Sequence, residues 1–170
     1  MTATVTWTQD SVVYPKLLDL CDCLCQQITA SNLPEPCFCG VLPGVQVALD
    51  EIDQCALQSG MAWVRLAGMA PQAGIGIANI NPIICPTPMN FTVEVGIIRC
   101  SPTMDEQGTP PDVAEWTDAV DLQMADRQAM VRAMVCCLGT KGWTMDSYIP
   151  IGPTGGVVGG FWLATASADG

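Results

Sequence analysis

A chain of 170 residues of which 49% are apolar is the right size for one domain with a substantial core. Seventeen acidic against six basic residues leave a net charge of −11, which disfavours gripping nucleic acid through phosphate contacts and counterion release. An acidic wall past which DNA slides without sticking remains compatible with that charge. Ten cysteines and no histidine remove the commonest general base and deprive any zinc or nucleophilic site of imidazole. The opening MTATVTWTQDS has neither a basic cluster nor an apolar run of signal-peptide length. No stretch is apolar enough to span a bilayer, so the chain is expected in the cytosol at synthesis, with no membrane partner.

The first predicted element is a helix from Pro15, KLLDLCDCLCQQI, with Asp10 and Ser11 as candidate caps. Leu17, Cys21, Leu24 and Ile28 share one face, Leu20 fills its edge, and Cys23 points away. The helix should stop near Ala30, where Ser-Asn-Leu-Pro-Glu-Pro breaks it. Cys37-Phe38-Cys39-Gly40 then leads through Pro43-Gly44 into a short strand with Val45, Val47 and Leu49, followed by the acids Asp50, Glu51 and Asp53. Met61 to Met69 forms the next strand, where Trp63, Val64 and Leu66 suit pleated packing and Arg65 faces out or pairs. Residues 70–88 hold Ile75, Ile77, Ile80, Ile83 and Ile84 among prolines and glycines. Such a segment is either an arm that packs on a neighbour or a loop tucked over its own core.

The best-specified stretch runs from Met89 to Leu138. Met89, Phe91, Val93, Val95 and Ile97 alternate with Asn90, Thr92 and Glu94 as in a strand with one buried face, and Ile98 joins the buried set. An excursion from Cys100 to Pro111 carries Asp105 and Glu106 in a solvated loop. Thr-Pro-Pro-Asp then starts a long helix, Thr109 supplying a capping hydroxyl and Asp112 a carboxylate in the first turn. Val113, Trp116, Val120, Met124, Val131, Met134 and Leu138 make its expected core face, Arg127 either snorkels or meets a buried or intersubunit acceptor, and Gly139 ends it. Tyr148, Ile149 and Ile151 suggest a strand, Gly152 to Gly156 a turn, and Val157 to Ala166 a terminal strand. These elements imply an α+β fold in one domain: an antiparallel or mixed sheet of about four to five strands with an N-terminal helix and one long helix packed on it.

Little in this pattern carries chemistry. Gly155, Gly156, Gly159 and Gly160 lack the Lys and the following helix of a phosphate loop, and fit a bent hairpin or close backbone contact better. Cys21, Cys25, Cys37 and Cys39 allow three readings: a four-thiolate metal site, a disulfide between the helix and the Cys37 loop, or buried thiols acting as small hydrophobes. Cys136 and Cys137 stand at a helix C-terminus, where the dipole opposes a thiolate. No pair of cysteines has redox-motif spacing. The acidic groups read as solvated surface. No enzymatic activity and no cofactor are expected.

The helix, strand, strand, long helix, strand order, with a late hairpin, resembles the tail terminator proteins of long-tailed bacteriophages. VEVGIIRCSPTMDEQGTPP, the Cys-Cys ending the long helix and YIPIGPTGGVVGGFW resemble the head-to-tail connector proteins of actinobacterial phages. The resemblance implies a tail-terminator-like α+β subunit of a homo-oligomeric ring, a hexamer, in the virion neck or tail. It would be assembled in host cytoplasm, cap the tail tube protein and join it to the neck or stopper protein, while DNA passes through the lumen without specific binding. Another neck or tail subunit, a stopper or tube protein, is the nearest alternative, and a cysteine-based metal or redox module is the other. Contacts are expected from the arm with Ile75, Ile77 and Ile80, from the Asp105 and Glu106 loop, and from Phe161 and Trp162 in the C-terminal hairpin, 145–166.

Overall fold

The computed structural model describes residues 12–44, 59–71, 89–137 and 143–167. The strand expected at Val45 to Leu49, the acids Asp50, Glu51 and Asp53, the isoleucines Ile75, Ile77 and Ile80, the caps Asp10 and Ser11, and the Gly139 stop lie outside these residues. Within them the chain runs α1 (Val13–Ala30), β1 (Phe38–Val41), β2 (Met61–Pro71), β3 (Met89–Cys100), α2 (Val113–Cys137), β4 (Trp143–Thr154) and β5 (Val157–Ser167). The strands form one five-stranded sheet in the order β1-β2-β3-β5-β4. It is mixed, because β1 runs parallel to β2 and every other pairing is antiparallel. The α+β class read from the sequence is the class observed.

Both helices pack on one face of the sheet. Phe91, Val93, Val95 and Ile97 of β3 point to that side, as do Ala62 and Val64 of β2 and Ala164 and Ala166 of β5, and they meet Leu17, Leu20, Leu24 and Ile28 of α1. Three devices close the ends of these elements. Leu33 N–H returns to the Ile28 carbonyl at 3.2 Å past Asn32, whose φ of 53° is the left-handed geometry of a helix C-terminus. Asp112 and Glu115 exchange backbone-to-carboxylate hydrogen bonds of 2.9 and 2.8 Å at the start of α2, a reciprocal capping box. Asp112 is thus the cap, in place of the expected Thr109. Gly155 and Gly156 (φ 60° and 79°) form the two-residue turn between Thr154 and Val157, a conformation that costs side-chain-bearing residues dearly.

Three expectations need correcting. The segment read as a lead-in is itself a strand, Phe38–Val41, because Cys39 and Val41 alternate onto the helix-covered core. Cys23 does not point away: it is 6% exposed and disulfide-bonded to Cys137, with Cα atoms 6.3 Å apart, since α1 is flanked by α2 as well as by the sheet. The third concerns α2, whose buried residues are Asp126, Ala129, Met130, Ala133 and Met134. Among the described residues of the predicted stripe, which exclude Leu138, only Met134 is buried, and Val113, Val120 and Met124 are exposed. At about 100° per residue the two sets occupy nearly opposite sides of the helix. The core took the side with alanines, which let α2 approach its neighbours closely.

Candidate interaction surface and polar centres

Among the described residues two buried ion pairs brace the sheet and its junction with α2. Arg65 and Glu94 are register partners on β2 and β3. The guanidinium donates Nε to Glu94 Oε1 at 2.7 Å, Nη2 to Oε2, and Nη1 to the Gly44 carbonyl at 2.9 Å. Trp63 Nε1 adds a bond of 2.8 Å to the same carboxylate. Two oxygens receiving three donors explain how Glu94 tolerates burial on a strand that alternation alone assigns a polar face.

Arg99 makes the second centre. Its Nε and Nη2 meet Asp126 Oδ2 and Oδ1 at 2.8 and 2.7 Å, and Nη1 donates to the Pro34 and Ser59 carbonyls at 2.7 and 2.6 Å. One side chain thereby joins β3 to α2, to the segment after α1 and to the entry of β2. Burial pushes the Asp126 carboxyl above its ordinary value, and the hydrogen bonds and charge of Arg99 pull against that. Arg65 commits at least three of its five N–H donors to protein acceptors and Arg99 at least four, so both pairs brace the fold.

The predicted thiol group is partly assembled. Cys21 and Cys25 sit one turn apart on α1, and with Cys39 of β1 their sulfurs all lie within 4.8 Å of one another. Cys25 and Cys39 are disulfide-bonded with Cα atoms 6.2 Å apart. Cys37, the fourth expected member, is exposed and disulfide-bonded, and stands outside the group. Cys21 is a free buried thiol, pushed up to about 11 by burial and by neighbouring Asp22. Cys100 and Cys136 are free as well.

The surface is more informative. Val113, Val120, Met124 and Val135 of α2 are 83, 51, 44 and 48% exposed, and Val131 between them is half-buried. They follow one side of the helix over its whole length of about 37 Å. A soluble helix normally keeps its second side polar. Beside this ridge, Trp116, Ala119, Val120 and Gln123 face Pro150, Ile151, Pro153 and Val158 across a shallow groove of about 180 Å³. Gln123 anchors the groove by donating Nε2 to the Gly159 carbonyl. β4 is the sheet edge at this end, and its two register shifts and two prolines obstruct addition of another strand.

Of the predicted contact residues, Asp105 and Glu106 are exposed in the excursion. That excursion is an ordered turn: Asp105 Oδ1 accepts the Gln107 and Thr109 amides at 2.9 and 2.7 Å, bonds that hold its carboxyl below the ordinary range, the Thr109 backbone amide most of all. Phe161 packs on the helix-free side of the sheet with Met61, Trp63 and Ile98. Trp162 packs on the helix side against Tyr148, ring centroids 5.5 Å apart. Both are half-buried. Arg127 is half-buried too, and its charge acts on the Tyr148 hydroxyl, whose pKa burial raises. Sequence reasoning missed Asp126 and the outward ridge together, because it gave α2 a single apolar face. The adjacent Ala129-Met130 and Ala133-Met134 pairs were the available signal for a second one.

No protein-family model matches the chain, and no curated protein matches it. Among the described residues no helix is long and apolar enough to cross a membrane.

Proposed function

We propose that this protein is a structural subunit of a bacteriophage neck or tail end, forming a homo-oligomeric ring, a hexamer, that caps the tail tube and joins it to the head connector. The observation that carries this reading is the apolar ridge of α2, Val113, Val120, Met124 and Val135, exposed on a helix whose other side already serves the core. Burying such a ridge against a second copy removes apolar surface from water at a gain of about 25 cal/mol per Å². Blunting of the β4 edge favours joining subunits through side-chain surfaces instead of a continuous sheet, and closed symmetry gives a ring. The motifs that resemble head-to-tail connectors, VEVGIIRCSPTMDEQGTPP and YIPIGPTGGVVGGFW, support the same placement.

Charge fits a channel for DNA. Asp112 at the cap of α2 and Glu115, Asp118 and Asp121 along it are all exposed, whereas two of the chain's few arginines are used internally by Glu94 and Asp126. A lumen lined by such acids repels phosphates and lets DNA pass without specific binding. Tail tube and stopper proteins would then meet the two rims, with the Asp105 and Glu106 turn as one contact. The test is native mass spectrometry of purified protein beside Val120→Glu. Rings in the wild type that the variant loses support the reading, and equal assembly by both removes the ridge from the interface.

A further inference from the structure

Three sulfurs come together where a disulfide needs two. Cys25 and Cys39 are covalently paired, yet Cys21 lies with both inside a 4.8 Å group. A helix turn supplies two of the three and the first strand supplies the third, so rigid elements position all of them. Four sulfurs around zinc at about 2.3 Å stand about 3.8 Å from one another. Cys21 therefore has to close on the other two by at most about an ångström, while the Cys25 and Cys39 sulfurs, once their bond is reduced, part from about 2.0 Å to about 3.8 Å, both within reach of cysteine rotamer changes.

We propose that Cys21, Cys25 and Cys39 form a zinc site when the Cys25–Cys39 disulfide is reduced, so that metal and disulfide are alternative closures of the same junction between α1 and β1. Reduction by two thiols of the cytosolic pool transfers two electrons and two protons to the Cys25–Cys39 bond, giving two thiols here and one disulfide in the reductant. Zn2+ then displaces the protons of the three thiols, which leave to solvent. Three thiolates and Zn2+ carry a net charge of −1, whereas a monovalent soft ion would leave −2. Burial beside Asp22 therefore favours the divalent ion. The fourth position is open to water, because Cys25 and Cys39 are only half-buried. Both closures tie the C-terminal half of α1 to the edge of the sheet. A reducing compartment would accordingly keep the junction fastened where a disulfide cannot persist. This site is independent of the ring assembly proposed above.

The experiment takes the full chain, reduces it with a phosphine, which takes the oxygen of water to become a phosphine oxide while the two protons of water go to the released thiols, removes the reductant without air, and adds Zn2+ alone. The expected result is one equivalent of zinc retained through gel filtration, with iodoacetamide blocked at Cys21, Cys25 and Cys39 and free to react at Cys100 and Cys136. Cys21→Ser, which leaves the disulfide possible, should retain none, whereas Cys100→Ser should retain the full equivalent. Co2+ in place of zinc should give the visible bands of tetrahedral thiolate coordination. Failure of the reduced wild type to retain zinc would overturn the proposal, as would full retention by Cys21→Ser. If the reduced chain loses its circular dichroism, zinc must restore it in the wild type and not in Cys21→Ser, and failure to do so counts against the site equally.

Discussion

Replacing Asp126 by alanine tests the most connected polar centre of the fold. The substitution deletes both carboxylate oxygens that receive Arg99 and leaves a guanidinium that is 2% exposed without the Asp126 charge. Breaking a buried pair from one side costs about 3–5 kcal/mol, because the remaining charge has lost its counterion inside the protein. Against a total of about 5–15 kcal/mol that is a large share, and it corresponds to a fall in Tm of about 6–20 °C for a chain of this size. Urea unfolding at neutral pH should show a lower midpoint at unchanged slope, with the exposed Asp118→Ala as control within about 0.5 kcal/mol of wild type. A companion double variant, Arg99→Met with Asp126→Leu, separates charge from architecture. Apolar replacement of a buried pair is often neutral, but here two backbone carbonyls would lose their donor at about 1–3 kcal/mol each, so the double variant should stay below wild type. A loss under about 1 kcal/mol in Asp126→Ala would refute this account of Arg99 as the joint between β3, α2 and the neighbouring segments.

Three further outcomes follow from particular contacts. The depressed Asp105 carboxyl stabilises its turn above the ordinary value of 3.8 and loses that contribution as pH falls through its own lower value. The Gln107 and Thr109 amide resonances should therefore titrate together below 3.8, and titration at or above it would contradict the bonding described. Gly96→Ala places a methyl group against the Trp63 ring, which lies over that glycine. Overpacking of this kind should lower stability by about 1–3 kcal/mol and shift the tryptophan emission, and a variant as stable as wild type would show that the ring is not held there. Cys23 and Cys137 are 114 residues apart in sequence, so exchanging both for serine should cost about 4–5 kcal/mol on the chain-entropy account. That difference from wild type should vanish when both proteins are reduced.

Alternation from Met89 identified β3 because half of a strand's neighbours lie at period two on one face, a local property. What alternation could not convey was that β3 is central and buried on both faces, since Glu94 is accommodated by Arg65 and Trp63 on another strand. The same limit governs α2. Spacing within the helix offered two apolar sides, and the choice between them depends on how closely α1 and the sheet approach, which selected Ala129 and Ala133 over the bulkier Val120 and Met124. Among the thiols, the one-turn spacing of Cys21 and Cys25 was legible on the helix. The inclusion of Cys39 and the exclusion of Cys37 depend on where β1 begins, since Cys39 lies within it and packs on the helix side, whereas Cys37 precedes it with its amide bonded to the Gly60 carbonyl. The capping box shows the reverse case, an interaction between residues three apart that could have been read from Asp112 and Glu115 directly.

The central claim, a ring subunit at the junction of head and tail, is tested most directly by locating the protein in purified virions with a specific antibody and electron microscopy. The account predicts label at the neck or the head-proximal end of the tail, in a stoichiometry consistent with a single ring. Absence of the protein from intact virions, or label distributed over the capsid, would contradict it.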